Sequence, residues 1–566
     1  MDSSGADAAD DDKHGTQDSP FLSIRRALDA AVRDKDAGVG AKIIIGPGTY
    51  REPIDIPAPT RVDTDAPLVI EAAERDQTII DCADTAGWEP ATWKAEGKVW
   101  MHPYPAARGA ALNVPADREP LIFSLDGVVL RQVETAGALV PGTVCIVPGD
   151  RKNPATVRVV PPQDAEVTAD SVFQVAARDH GLAVARRRGV VVRGLFFQHA
   201  AGLHAKERNA AEPVSAGVVL RGCSDVLLED ILSQWNEGAG VAIIGADARP
   251  WSAGFTLRRV RAIHNGQSGL AVDNVKDLLA EDCETSFNGF RGEWNASADP
   301  QGPAGAKARG LHGSTWRRQR AVSNFCRGLW WNGDCTDLLV EDAVVRDNLF
   351  SGLLIENCPG PSVVRGCFVA GNKPPPSGKP EAGQPAAVSL EASPDVTLEN
   401  NVVAGNPVPQ LGLREPAERT DGTDFETGAK TPLRAERHVY HHNAFCGADA
   451  NQILCDLPAP ERGGKNDFAP YYGTLDTDEN CFWNPASEAV FTTYAHNGAR
   501  TRITGLAAWR ATLAGFAGAK DAARPEAGSL WQDPLFMEPA EGDYRLQAQS
   551  PLIDWGLPSD EGAVAQ

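Results

Sequence analysis

Polar side chains recur at one position of a repeated segment. Four residues on from a strand-opening glycine, Gly269 leads to Asp273, Gly328 to Asn332 and Gly352 to Glu356. Matching Leu390-Glu-Ala-Ser-Pro394 to Ile355-Glu-Asn-Cys-Pro359 adds Glu391. Asp334 stands two residues beyond Asn332, on the same face for as long as the strand stays extended. Segments stacked as neighbouring strands about 4.8 Å apart turn such positions into a column. Asp334 and Glu356 then lie on adjacent coils with carboxyl groups about 5–9 Å apart, the spacing at which one carboxyl protonates a leaving oxygen and the other acts as nucleophile or base. Crowding two like charges makes the acid, because one of the pair must hold its proton.

The same stretch is rich in tryptophan. Trp235, Trp294, Trp316, Trp330 and Trp331 fall in these coils, and indole faces stack on the apolar C–H surfaces of sugar rings. Two or three of them are expected to be exposed. The long segment between Asn288 and His312 supplies Arg291, Glu293, Lys307 and His312 to orient hydroxyls or tune the acids. The expected site therefore has Glu356 and Asp334 as its catalytic pair. Around them, Asp273, Arg291, Glu293, Trp294, Lys307, His312, Trp316, Trp330, Trp331, Asn332 and Glu391 contact substrate. No resident cofactor or metal is required for this chemistry. His264, just before an Asn, reads as a turn residue.

The elements that must position these groups are short strands. Asparagines fall at 265, 288, 324, 348, 372, 406 and 443, a spacing of about 24 residues, or longer where a coil carries a loop, within the range of solenoid repeats. An Asn at one corner of every coil tolerates the left-handed turn conformation, and its amide can bond the Asn above it. This predicts an all-β fold, a right-handed parallel β-helix solenoid. Phe21–Val32 has helical apolar spacing after Pro20 and is expected to cap the open end of the sheet. Turn pairs at Asp126-Gly127, Pro141-Gly142 and Gly149-Asp150 mark a small β insertion. The expected organisation is a disordered leader (1–20), an N-terminal cap with first coils (21–120), the insertion (121–175), a central helix carrying the site (176–450), and degenerate coils with a C-terminal cap (451–566).

Composition excludes other classes. With 54 basic and 76 acidic side chains, the formal charge is −22, a field that repels nucleic acid and anionic lipid surfaces, so neither is a partner. No apolar run is long enough to cross a membrane. The 11 cysteines lack zinc-type spacing, and several recur within the repeat, as a stack of small buried side chains would. The polar first 20 residues do not read as a signal peptide. Secretion or periplasmic export is expected because polymeric glycans lie outside the cytoplasm.

The opening helix, Gly46-Pro-Gly-Thr-Tyr-Arg-Glu52, the insertion and the coils resemble the pectate-lyase-like superfamily of bacterial right-handed β-helix proteins, over roughly residues 20–556. Gly328-Leu-Trp-Trp-Asn-Gly-Asp334 followed by Leu354-Ile-Glu-Asn-Cys-Pro-Gly-Pro361 is similar to the β-helical β-xylosidases. In that family Trp-x-Asp supplies the nucleophile and a Glu on the next coil the acid/base. The resemblance implies a glycoside hydrolase with Glu356 as acid/base. The nucleophile position holds Asn332, whose amide cannot attack, so either Asp334 takes that role or the family mechanism does not transfer. A polysaccharide lyase is the alternative, with Lys276, Lys307, Arg291 or His312 as base or charge neutraliser and Asp273 and Glu356 on calcium. A glycan-binding solenoid without catalysis is the third reading.

Overall fold

The computed structural model describes residues 8–11, 13–104, 122–149, 155–201, 215–246, 251–291, 302–374, 385–414, 421–424, 427–459, 468–495, 499–517, 525–555 and 557. The chain divides into two compact units. The first comprises 1–247, 259–271 and 287–303, and the second 248–258, 272–286 and 304–566.

In the first unit the capping helix runs Ile24–Asp36, starting three residues after Phe21 because Ser23 caps it, its side chain accepting from the Arg26 N–H. Its apolar face, Ile24, Ala27, Leu28 and Ala31, is buried. Lys35, fully buried, donates from Nζ to the carbonyls of Ala66 and Arg188 at 2.7 Å each, which ties the cap to the first coils. Within the leader, Asp10 accepts from the Leu22 and Ser23 N–H groups at 2.9 Å each. Parallel pairing then begins, with Ala41–Ile45 on Leu68–Ala72 and Leu68–Glu71 on Val190–Arg193. The insertion is antiparallel except where Arg131–Gln132 runs parallel to Thr143–Val144, and it draws in Lys94–Glu96 and Val99–Pro103, upstream of Leu121. Its own core holds Trp88, Trp93, Phe123 and Phe173, with Trp93 and Phe173 stacked at 4.3 Å.

The second unit is a stack of coils with three parallel ladders. One runs through Ala304–Arg317, Arg327–Asn332, Leu353–Glu356, Val388–Glu391 and Leu411–Arg414. A second contains Thr336–Glu341, Ser362–Arg365, Val396–Glu399 and Val439–His441. The third contains Val344–Arg346, Phe368–Ala370, Val402–Ala404 and Ala444–Cys446. Alternate residues fill the interior, among them Leu329, Leu338, Val340, Val345, Ile355 and Val364. Near the C-terminus, Arg500–Ile503 pairs antiparallel with Phe491–Tyr494, and Trp509 stacks on Phe491 at 4.9 Å. This occupies the sheet edge that would otherwise stay open.

The asparagine corners are buried amide ladders. In the first unit Asn236 donates to Asn265 (2.9 Å) and Asn265 to Asn288 (3.0 Å). In the second, Asn324, Asn348, Asn372 and Asn406 follow one another at 2.7, 3.0 and 3.0 Å. Asn443 belongs instead to a separate ladder with Asn401 and Asn480. The left-handed residue is not the Asn, as expected, but the one before it: His264, Phe287, Ser323 and Asp347 all have φ between 51° and 60°. Each Asn keeps negative φ so that its side chain turns inward to the next coil. The repeated glycine is the ladder's counterpart. A Cβ on Gly328 would stand 2.8 Å from Asn348 Nδ2, and one on Gly352 2.7 Å from Asn372 Nδ2, so only glycine lets strand and ladder approach.

All 11 cysteines are free and buried. The thiols of Cys223, Cys283, Cys335, Cys358 and Cys367 point at backbone carbonyls of the preceding coil, as Cys283 at Leu257 (3.5 Å) and Cys367 at Val340 (3.8 Å). Burial pushes the Cys223 thiol up to about 11 and Cys367 to about 12, so thiolate is scarce at neutral pH. A chromogenic disulfide reagent is expected to find almost no thiol in the native protein and 11 equivalents after denaturation.

Candidate active site

Alternation sorts the site residues of the second unit into those that face out of the coil and those that fill it. Asn332, Glu356, Glu391 and Arg414 occupy one row, each the register partner of the next, and all are half-buried. Arg309 stands two residues beyond Lys307 on the preceding coil and holds Asp273 in a bidentate pair at 2.8 and 2.9 Å. The row of polar side chains expected from the glycine spacing is thus present for Asn332, Glu356 and Glu391, while Asp273 meets Arg309. Arg309 was legible as the second outward residue of Ala306-Lys-Ala-Arg309.

The row beside it contains Lys307, Trp330, Leu354, Ser389 and Gly412. Trp330 is only 7% exposed, with Lys307 Nζ 3.4 Å from its ring centroid and the Arg327 guanidinium 4.5 Å away. Its Nε1–H donates to Glu356 Oε2 at 2.9 Å. Trp330 therefore orients the Glu356 carboxylate and is not an open stacking platform for a sugar.

Trp316 and Trp331 depart further from expectation. They are 0% and 1% exposed and meet edge-to-face inside the coil with centroids 5.7 Å apart. The reason is parity: Asn332 faces out, so Trp331, like Leu329 and Ile355, faces in. Neither can touch a substrate. Trp235 is half-buried and stacks on His264 at 4.8 Å. Glu293 and Trp294 lie outside the described residues. Arg291, in the first unit, is buried 3.7 Å from Glu237, and burial pulls its guanidinium down to about 10. It is a core ion pair and not a substrate contact.

Asp334 is placed differently from the extended-strand expectation. The strand ends at Asn332, and Gly333 and Asp334 both take left-handed conformations with φ of 64° and 57°. The side chain leaves the strand face, and its Oδ1 accepts from the Thr423 N–H. Thr423 belongs to a hairpin, Asp421–Thr423 with Lys430–Pro432, that lies outside the periodic pattern of the coils. His312 Nε2 lies 4.0 Å from Asp424 Oδ2 at the same hairpin. Burial raises the Asp334 carboxyl above its ordinary value of 3.8, against the opposing pull of the Thr423 N–H, His312 and Arg309. For an acid whose folded pKa is raised, the stabilising contribution is complete below the ordinary value and is lost as pH rises through the raised one. Asp334→Asn keeps the acceptor oxygen and removes the charge. It is expected to raise the melting temperature at pH about 7 and to leave it unchanged in acid below about pH 3, where the wild-type carboxyl is already neutral.

Among the described residues no group of three or more His, Cys, Asp or Glu side chains is arranged to hold a metal ion. The row Asn332–Glu356–Glu391–Arg414 offers two adjacent carboxylates, an amide and a cation on one face. Rungs of a parallel sheet lie about 4.8 Å apart, and Glu356 and Glu391 stand on adjacent rungs.

Comparison with known proteins agrees on the fold. The family described as "Right handed beta helix region" matches residues 193–403. The chain is similar to the solved structure described as the complex of XylC with xylose, with 14% identity, a TM-score of 0.56, and coverage of 85% of this chain and 83% of that one. It is also similar to a structure described as a glycoside hydrolase (14% identity, TM-score 0.45, 72% and 93% covered). A third is the A-module of the mannuronan C-5 epimerase AlgE4 of Azotobacter vinelandii (13%, 0.41, 81% and 88%). No curated protein matches by sequence. The fold is a right-handed parallel β-helix with an N-terminal capping helix and a β insertion.

Proposed function

We propose that the chain is a glycoside hydrolase acting on a plant or microbial glycan, with Glu356 as acid/base and Glu391 as nucleophile. The observation that carries this reading is the direct register of Glu356 with Glu391, both facing outward, with Trp330 Nε1–H on Glu356. A spacing near one strand rung matches the separation of about 5–5.5 Å in glycosidases that retain configuration. Glu391 replaces Asp334 as the second carboxylate because Asp334 is engaged by the hairpin. The likeness to a β-helix solved with xylose supports a sugar on this fold.

In the first step the Glu391 carboxylate attacks the anomeric carbon while Glu356 gives its proton to the departing glycosidic oxygen. In the second, Glu356 takes a proton from water, whose oxygen displaces Glu391 from the sugar. Asn332, next in register, can hydrogen-bond a ring hydroxyl. Lys307 holds the Trp330 ring and through it the direction of the Glu356 carboxylate. Extracellular or periplasmic action goes with this reading.

The test is a panel of neutral and uronic-acid glycans assayed for new reducing ends and for unsaturated uronate, with and without EDTA. Reducing ends of retained configuration, insensitive to EDTA and lost in Glu356→Gln, are the expected result. A calcium-dependent unsaturated product would replace hydrolysis with β-elimination.

A further inference from the structure

The hairpin of Asp421–Thr423 and Lys430–Pro432 is held by hydrogen bonds of its own. The Asp424 N–H donates to the Ala429 carbonyl at 2.9 Å, and the Asp424 carboxylate accepts from the Thr427 N–H and hydroxyl at 2.7 and 2.8 Å. Beyond itself the hairpin seats on the turns that follow the polar row. Its Thr423 N–H donates to Asp334, just past Asn332. Its Asp424 carboxylate faces His312, just past Arg309, at 4.0 Å. Gly422 is buried between exposed Asp421 and Thr423. A Cβ there would stand 3.2 Å from Asp334 Oδ1 and 3.2 Å from Pro359 Cγ, in the turn after Glu356. Where the hairpin rejoins the coils, the Glu436 carbonyl accepts from the Asp395 N–H, in the turn after Glu391, at 3.0 Å. From the turn after Arg309 to the turn after Glu391 is three rung spacings, or about 14 Å.

We propose that this hairpin is a side wall of the glycan groove and that Asp334 is the positioning residue that docks it, with Gly422 supplying the close fit. The wall runs past several rungs, so it acts on the sugars that flank the one being cleaved. Exposed Asp421, Thr423, Lys430 and Thr431 give it donors and acceptors for sugar hydroxyls. An ionised carboxylate is a stronger acceptor for a backbone N–H than a neutral oxygen, which suits Asp334 to hold the wall in place. The inference rests on the proposed hydrolase reading and deepens it. Asp334 acts on chain binding through the wall, and the Glu356–Glu391 pair acts on the bond that breaks. Contacts with flanking sugars are made equally in the ground and transition states, so their loss is read in KM and not in kcat.

Hydrogen exchange and kinetics test it together. Exchange at Thr423 and its hairpin neighbours is expected to quicken about ten-fold or more in Asp334→Ala and in Gly422→Val, which leaves the Asp334 side chain intact. Asp334→Asn keeps the acceptor oxygen and should stay near wild type. In Glu356→Gln protein, where the probe persists, at least one hexamer of xylose, glucose, mannose or galacturonic acid should slow the same exchange. On the glycan that wild-type protein cleaves, KM for the hexamer should rise about ten-fold in Asp334→Ala and Gly422→Val, with kcat within about two-fold. KM for the matching nitrophenyl monoglycoside should not move. Faster exchange with an unchanged hexamer KM, equal losses on hexamer and monoglycoside, or no slowing by any hexamer overturns the wall. Unchanged exchange in both Asp334→Ala and Gly422→Val overturns the docking. Cleavage of any glycan by wild-type protein keeps the hydrolase reading in each of these cases. A hexamer that slows exchange and is never cleaved keeps the wall and overturns hydrolysis.

Discussion

Glu391→Gln is expected to lower turnover by about 10²–10⁴-fold, as much as Glu356→Gln, while Asp334→Asn changes it far less. Glu391 is the register partner of Glu356 on the next strand, so both side chains leave the sheet on the same face one rung apart. Asp334 lies past the end of its strand, turned by two successive left-handed residues and bound to the Thr423 N–H. Steady-state kinetics on any cleaved glycan, with each variant checked for native melting, decides between them. If Asp334→Asn were as damaging as Glu356→Gln and Glu391→Gln were harmless, the second carboxylate would be Asp334. Product stereochemistry gives a separate check, because an acid and nucleophile one rung apart predict retention.

Asn348→Ala should produce the largest loss of stability, about 3–5 kcal/mol. The Asn348 side chain donates to the Ala321 carbonyl (2.9 Å) and to Asn372 Oδ1 (3.0 Å), and accepts from both the backbone and side-chain N–H of Asn324 (3.0 and 2.7 Å). All of this lies in a fully buried corner. Each orphaned buried group costs about 1–3 kcal/mol, and truncation strands several at once. Urea denaturation should show a lower midpoint, whereas the half-exposed Asn332→Ala stays within about 0.5 kcal/mol of wild type. Equal effects at the two positions would mean that the ladder adds nothing beyond ordinary surface polarity.

The parts legible in the sequence were those with a period. Asn at a regular spacing and Gly at the start of each strand are two halves of one contact, so the β-helix and the register of Asn332, Glu356 and Glu391 followed from counting. What a count could not give was where each strand stops. Asp334 looked like a neighbour of Glu356 only while the backbone was taken as extended past Asn332, and the turn at Gly333 breaks that assumption. Trp331 and Trp316 were misread because residue type was weighed above parity. With Asn332 facing out, Trp331 had to face in, whatever indoles do elsewhere. The Thr423 hairpin depends on contacts between segments far apart in sequence, where no period exists to be read.

The indole–carboxylate contact has an optical consequence. Trp330 donates its N–H to Glu356 and carries an ammonium against its ring, so its excited state feels the charge on that carboxylate directly. A proton lost or gained on the Glu356 carboxyl alters the local field on this one chromophore. A difference emission spectrum between wild type and Glu356→Gln, followed across pH, would make Trp330 a built-in reporter of the carboxyl's protonation without any added label.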